Sequence, residues 1–320
     1  MQKFKKVNTY ILCVSILGSA LLSCQSESQK KGDLVPEAIS LLGDSLYPRK
    51  LSPEMEKDFK RKLSDTRMEA KAHPDSEIAL IWYGRRLAYL GHYQKAIEVF
   101  TTALEKHPES YKLLRHRGHR YISIRKFDRA IADLSRATVL AEGTEPQIEP
   151  DGLPNKLNQP LSTTQWNIYY HLGLAYYLQN DMINAKNAFQ VCYDQSDNND
   201  ILVAATDWLY MINRRIGNEE IANELLLKIT PGMEVIENDS YLKRLFMYKG
   251  KLNIKELLEV VDDDDKSLKL ATQGYGVANW YLYNGDTTSA KRMFNEIVGG
   301  DNWPAFGYIA AEADLSRLIK

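Results

Sequence analysis

From Ile78 to Pro108 the chain reads IALIWYGRRLAYLGHYQKAIEVFTTALEKHP, and its apolar residues return at helical spacing. Within it Ala96 is followed four places later by Phe100, and the same small-then-large pairing recurs as Ala130/Leu134, Ala185/Phe189, Ala222/Leu226 and Ala290/Phe294. The alanines are separated by 34, 55, 37 and 68 residues. The interval of 68 is two periods, and Glu256/Val260 falls in the slots of the degenerate repeat between. The interval of 55 exceeds one period by 21, which assigns residues 145–165 to an insertion. That stretch contains IEPDGLPNKLNQPLSTT, with prolines at 146, 150, 154 and 160 that block helix. The pattern predicts an all-α chain of helical hairpins at 77–110, 111–144, 166–199, 203–236, 237–270 and 271–304. A helix starting at Ser52-Pro53-Glu54 precedes them, and AFGYIAAEADLSRLIK, residues 305–320, reads as a closing cap.

The slots Leu80, Tyr83, Gly84, Leu87, Ala96, Phe100, Ala103 and Pro108 resemble a tetratricopeptide repeat (TPR). Gly84 and Ala96 stand where two antiparallel helices approach closely, and Phe100 fills the space between neighbouring hairpins. Gly118 and Tyr121, Leu172, Gly173 and Tyr176, Leu209 and Tyr281 keep the register. Repeat five departs from it, with Arg244 at the small slot. The resemblance implies a right-handed superhelical solenoid of about six repeats over residues 37–320. Stretches such as RHRGHRYI, IEPDGLPN and FGYIAAEADL further resemble a group of bacterial TPR proteins, a likeness that carries no activity with it.

The same resemblance implies a concave face lined by first helices. Carried over slot by slot, it takes Trp82, Arg85 and Tyr89 from repeat one and Lys112, Arg115, His116 and His119 from repeat two. Repeat three supplies Asn167, Tyr170, His171 and Tyr177, repeat four Trp208, Arg214 and Arg215, and repeat six Tyr275, Asn279 and Tyr283. Basic and aromatic groups on one concave face suit an acidic or carboxylate-bearing segment of a protein or peptide. The clamp that holds chaperone tails is not the version present, because it needs Lys then Asn where this chain has Ile81 and Arg85. The insertion carries Glu145, Glu149 and Asp151, the charge opposite to that face. It is expected to fold as an ordered flap over the groove rim between repeats two and three, with Glu149 or Asp151 approaching Arg115, Arg117 or His119.

The N-terminus changes the setting. Residues 1–23 are lysine-rich at the start and then apolar from Tyr10 to Leu22, too short for a permanent span and of signal-peptide length. The ending Leu21-Leu22-Ser23-Cys24 resembles a bacterial lipobox, which implies that Cys24 is acylated, that residues 24–36 are a polar tether, and that the chain is exported and anchored in the cell envelope. Gln25, where an aspartate would retain the protein at the inner membrane, favours the outer membrane, periplasmic side. Losing Lys3, Lys5 and Lys6 and no acid takes the formal net charge from -1 to -4, a balance that argues against nucleic acid. Cys192 is then the one thiol besides Cys24, so no intramolecular disulfide forms and stability comes from packing.

Catalytic signatures are missing: the chain has no G-x-S-x-G, no H-E-x-x-H and no P-loop, and no cofactor motif. His116, His119 and His171 are poor metal ligands beside so many arginines, and Asp262–Asp265 lacks the glycine and glutamate of a calcium loop and instead suits a helix start near Lys266. The sequence therefore points to a lipid-anchored, non-enzymatic scaffold for a protein or peptide. Two rivals remain: a small-ligand protein or enzyme whose pocket the 145–165 loop closes, and an envelope assembly factor that uses its convex face.

Overall fold

The computed structural model describes residues 35–259 and 266–319. The signal segment, Cys24, most of the tether, Val260 and the Asp262–Asp265 run lie outside the described residues. The described chain opens with a small antiparallel hairpin, β1 (Ala38–Ile39) and β2 (Ser45–Leu46), followed by α1 (Pro53–Ala72). Residues 37–50 were expected to belong to the helical array and instead form this hairpin and its flanks. Six helical hairpins follow: α2 (Glu77–Tyr89) with α3 (Tyr93–Lys106), α4 (Tyr111–Ser123) with α5 (Phe127–Ala141), α6 (Thr164–Leu178) with α7 (Met182–Asp194), and α8 (Asn199–Arg215) with α9 (Glu219–Leu227). The fifth pairs α10 (Asp239–Tyr248) with a short α11 (Ile254–Leu258). In the sixth, α12 (Lys266–Lys269) runs through a π-helical turn, Leu270–Gly274, into α13 (Tyr275–Tyr283), which packs on α14 (Thr287–Val298). The chain ends in α15 (Phe306–Leu318).

Local chemistry sets the helix boundaries. Ser52, Ser76, Ser110, Thr163 and Asn198 each cap α1 or the first helix of a pair, their side-chain oxygens accepting a backbone N–H from the first turn. Within every pair, the turn after the first helix holds one residue at positive φ: Gly91, Arg125, Asn180, Gly217, Gly250 and Gly285. Glycine or asparagine takes that conformation readily, whereas arginine does so at a cost of about 1 kcal/mol. Arg125, at φ 63°, is the one arginine among them, and its contacts below account for it.

The hairpins pack as the small-and-large pattern requires. A Cβ at Gly84 would overlap the Phe100 ring, one at Gly118 would lie 2.7 Å from Leu134 Cγ, and one at Gly173 2.8 Å from Phe189 Cδ2. Repeat five reverses the arrangement. Arg244 fills the space against Gly276 of the next repeat, pairs with buried Asp207 of α8 at 2.7 Å, and donates to the Thr272 carbonyl in the π-helical turn. Glu256 does not take the small core slot expected of it: it is exposed and forms a capping box with Asn253, and Leu257 enters the core instead.

The expected cap at residues 305–320 is also corrected. A terminal cap keeps a polar outer face, but Gly307 to Ser316 of α15 are all buried. The helix packs against α14, α13 and α6, and its N-terminal approach meets the opposite end of the array. Glu312 accepts the Leu41 N–H at 2.6 Å, Arg49 donates to Asn302 at 2.8 Å, and the Trp303 indole donates to the Tyr47 carbonyl at 2.6 Å. The N-terminal hairpin and the C-terminal helix thus close the array on itself.

Candidate functional site

The connection between α5 and α6, residues 142–163, is pinned at its base. Ile148 bridges Thr163, Glu149 N–H donates to Ser162 O at 3.0 Å and Thr164 N–H to Gln147 O at 2.8 Å. The Gln165 side chain adds three bonds to Thr144, Glu145 and Gln147. From there the segment crosses the first helices of repeats one and two. Arg85 donates to the Pro150 carbonyl at 2.8 Å, Arg86 to the Gly152 carbonyl at 2.9 Å, and Arg115 pairs with Glu149 at 2.9 Å, both side chains being buried. Gly152 lies so close to the Tyr89 hydroxyl that any Cβ there would overlap it. The far end reaches repeat five, where Asn155 donates to Glu237 at 2.6 Å.

The side chains assigned to the concave face separate into three groups. Arg85, Tyr89, Arg115, His116 and His119 gather beneath the connection around a small cavity of about 100 Å³ that Arg120 and Glu149 also line. Asn167, Tyr170 and His171 face a cleft on its other side. Tyr177, Trp208, Tyr275 and Asn279 are buried core, linked by the Tyr177–Tyr275 hydroxyl contact at 2.6 Å and the Asn279 amide on Tyr177 at 3.1 Å. Trp82 lies under the guanidinium groups of Arg85 and Arg86, and Lys112 sits beside Tyr111 rather than in the cavities. Arg214 stacks on Tyr283 and pairs with Glu219. Arg117 does not meet the connection: its guanidinium grips Asp133 with two bonds of 2.7 Å.

An open basic groove is therefore not what the structure contains. The connection fills one part of the inner face and α15 fills another. Phe306 packs on His119 and His171, with ring centroids 5.3 and 5.5 Å away, Asp314 pairs with Arg215, and Arg317 donates to the Leu178 carbonyl. Most deeply, Arg125 grips Glu312 through Nε at 3.1 Å and Nη2 at 2.7 Å and donates to the Ser123 and Trp303 carbonyls. These four bonds hold its left-handed backbone in place.

What stays open is a cleft flanking the connection. Its outer part, about 290 Å³, is lined by Arg85, Arg115, Glu149, Asp151, Asn155 and Glu237 among others. It shares Asp151, Ser162, Asn167 and Glu237 with an inner part of about 260 Å³ floored by Trp166, Tyr170, Tyr241 and Phe306. Burial and the nearby Glu237 carboxylate push the Asp151 carboxyl up to about 6. Burial and then Arg115 hold His116 and His171 well below the usual histidine range, and burial and then Arg120 do the same to His119. Burial brings Arg120 down to about 10. The ring nitrogens are engaged: Arg115 points Nη1 at Nδ1 of His116 and of His119, at 3.2 and 3.4 Å, and His171 Nδ1 lies 2.7 Å from the Asn167 carbonyl. Among the described residues no three His, Cys, Asp or Glu side chains come together as metal ligands.

Residues 167–199, which span α6 and α7, match the family model described as tetratricopeptide repeat. That stretch is similar to a tetratricopeptide repeat. No curated protein matches it in sequence. Among solved structures it is similar to YrrB, a TPR protein with an unusual peptide-binding site, at 12% identity over 73% of this chain and 91% of that one, with a TM-score of 0.41. It is also similar to a TPR protein from Parabacteroides merdae, at 14% identity over 81% and 93% of the two chains and a TM-score of 0.45. The Naa15/Naa10 complex bound to HypK-THB matches at 15% identity, over 76% of this chain and 34% of that one, with a TM-score of 0.37.

Glu237, Asn155, Phe306, Glu312 and Asp314 shape this site, and none was legible in advance. Glu237 and Asn155 lie in loops with no repeat slot, and the three C-terminal residues read as part of an end cap. Arg125 did carry a signal, because it occupies the turn position that glycine or asparagine takes in the other five pairs.

Proposed function

We propose that this TPR protein is a lipid-anchored envelope scaffold that holds a segment of a partner protein in the cleft beside the 142–163 connection. The observation that carries the proposal is the cleft itself. Elsewhere the inner face is filled by the chain's own connection and C-terminal helix, while here Asp151, Ser162, Asn167 and Glu237 line a continuous opening over an aromatic floor. The connection acts as its flap, held by Arg85, Arg86 and Arg115. The anchor rests on the LLSC sequence and its lysine-rich, apolar lead. Among the described residues no helix is long and apolar enough to cross a membrane.

Site-specific photocrosslinking tests the cleft. A photoreactive residue at Leu161, in the cleft wall, is expected to capture the partner in cells, and one at exposed Val139 on α5 is not. Capture from Val139 alone assigns the interaction to the outer surface and overturns the proposal. Labelled lipid is expected on Cys24 and is lost in Cys24→Ser; a soluble wild-type chain with a free N-terminus refutes the anchor.

A further inference from the structure

We propose that the cleft receives an organic cation, the lysine or arginine side chain of a basic partner segment, and not the acidic segment that the run of basic residues suggests. The inference rests on the cleft being the partner site. It starts from what has become of the basic residues. Arg115, Arg117, Arg125, Arg215 and Arg244 are paired with Glu149, Asp133, Glu312, Asp314 and Asp207 of this same chain. Arg85 and Arg86 are turned to the Pro150 and Gly152 carbonyls and stack on Trp82. The two arginines that line the outer cleft, Arg85 and Arg115, are already engaged.

The carboxylates facing the cleft are not. Among the described residues neither Asp151 nor Glu237 has a cation within ion-pair distance, and the Glu237 carboxylate accepts only from the Asn155 amide. Asp151 Oδ2 is buried and has no hydrogen-bond partner. Glu149 is 8% exposed and lines the same cleft; its Oε1 serves Arg115, and its buried Oε2 has no partner. The outer cleft thus sets three carboxylates against two guanidinium groups, with two carboxylate oxygens waiting for a donor. Buried acceptors of this kind are costly unless they are met, and a group that carries only donors meets them best. The floor adds the aromatic side chains of Trp166, Tyr170, Tyr241 and Phe306, an apolar lining that suits the aliphatic stem of a lysine or arginine.

Protonation reports on the occupant. Burial and then Glu237 push the Asp151 carboxyl up to about 6, and it faces Glu237, Glu149, Arg85 and Arg115, with His171 at the inner end. A bound cation favours the ionised carboxylate, so affinity falls as pH drops through 6, and any protonation of His171 acts in the same direction.

The test uses the full-length chain and two dye-labelled probes, Gly-Lys-Gly-Lys-Gly and Gly-Glu-Gly-Glu-Gly with blocked ends, read by fluorescence anisotropy. The lysine peptide is expected to bind at least about tenfold tighter than the glutamate peptide, the worth of one charge-assisted hydrogen bond. Asp151→Asn with Glu237→Gln is expected to remove about tenfold of that affinity at unchanged circular dichroism, and the wild-type affinity is expected to fall between pH 7.5 and pH 5. Equal binding of the two peptides, or an affinity indifferent to both substitutions, overturns the proposal. Cadaverine competing at least as tightly as the peptide replaces the side chain by a free amine and overturns that assignment of the source. If the glutamate peptide is the one that crosslinks at Leu161, the cation is wrong and the partner cleft stands; if neither peptide does and partners crosslink only at Val139, the cleft reading itself is gone.

Discussion

Replacing Glu312 by alanine should open the closure between the two ends of the array. The carboxylate is 1% exposed and its partner Arg125 2%, so neither charge has recourse to water. Glu312→Ala removes two bonds to the guanidinium, at 3.1 and 2.7 Å, and leaves the Leu41 N–H without its acceptor. Arg125 keeps the Ser123 and Trp303 carbonyls, which satisfy donors without neutralising the charge. Breaking a buried pair from one side costs about 3–5 kcal/mol, a large part of the 5–15 kcal/mol typical of a folded domain. Arg125→Gly with Glu312→Leu should recover most of that loss, because no charge stays buried and glycine suits φ 63°. Urea denaturation of the wild type, Arg125→Gly, Glu312→Leu and the double variant, followed by circular dichroism, gives the four corners of the cycle, with a coupling of at least about 2 kcal/mol expected. Hydrogen exchange at the Leu41 amide should accelerate in the single variant. A loss under about 1 kcal/mol, or single effects that simply add, would refute the view that this pair closes the array.

Acid should weaken the fold through His116, His119 and His171. Their folded pKa values are depressed below the unfolded value of about 6.5, so their contribution is complete above that pH and is lost as pH falls from 6.5 toward the folded values, by up to about 1.4 kcal/mol per pH unit for each. Denaturation midpoints across pH 7.5 to 5 measure it, and His119→Phe should flatten the slope. Gly173→Ala, whose Cβ meets the fully buried Phe189 ring at 2.8 Å, should cost about 1–3 kcal/mol in the same assay. Arg244→Met should cost about 3–5 kcal/mol by stranding Asp207, with Asp207→Leu restoring part of it. The 142–163 connection should resist limited proteolysis between Gln147 and Thr163 and become sensitive in Arg115→Glu, which turns its Glu149 contact repulsive; rapid cutting of the wild type would refute the flap.

The periodic part of this protein is local, and the sequence alone carries it. A small residue on one helix and a large one on the next, capped by Ser, Thr or Asn and turned by Gly or Asn, specify a helical hairpin within about 34 residues, and their recurrence specifies the all-α array. The surplus of 21 residues located the connection for the same reason, since its prolines block helix wherever the rest of the chain goes. Which inner-face side chains stay open was decided only by tertiary structure. An arginine on a helix face reads the same whether its carboxylate is a partner's or lies 99 positions along the same chain, as Asp314 does from Arg215. The helix that reads as an end cap becomes buried filling once the curvature of the array brings Leu41, Arg125 and Arg215 around it. That curvature is the sum of small rotations between neighbouring repeats. No single repeat encodes it, so the fold is legible one repeat at a time while the site exists only in the closed whole.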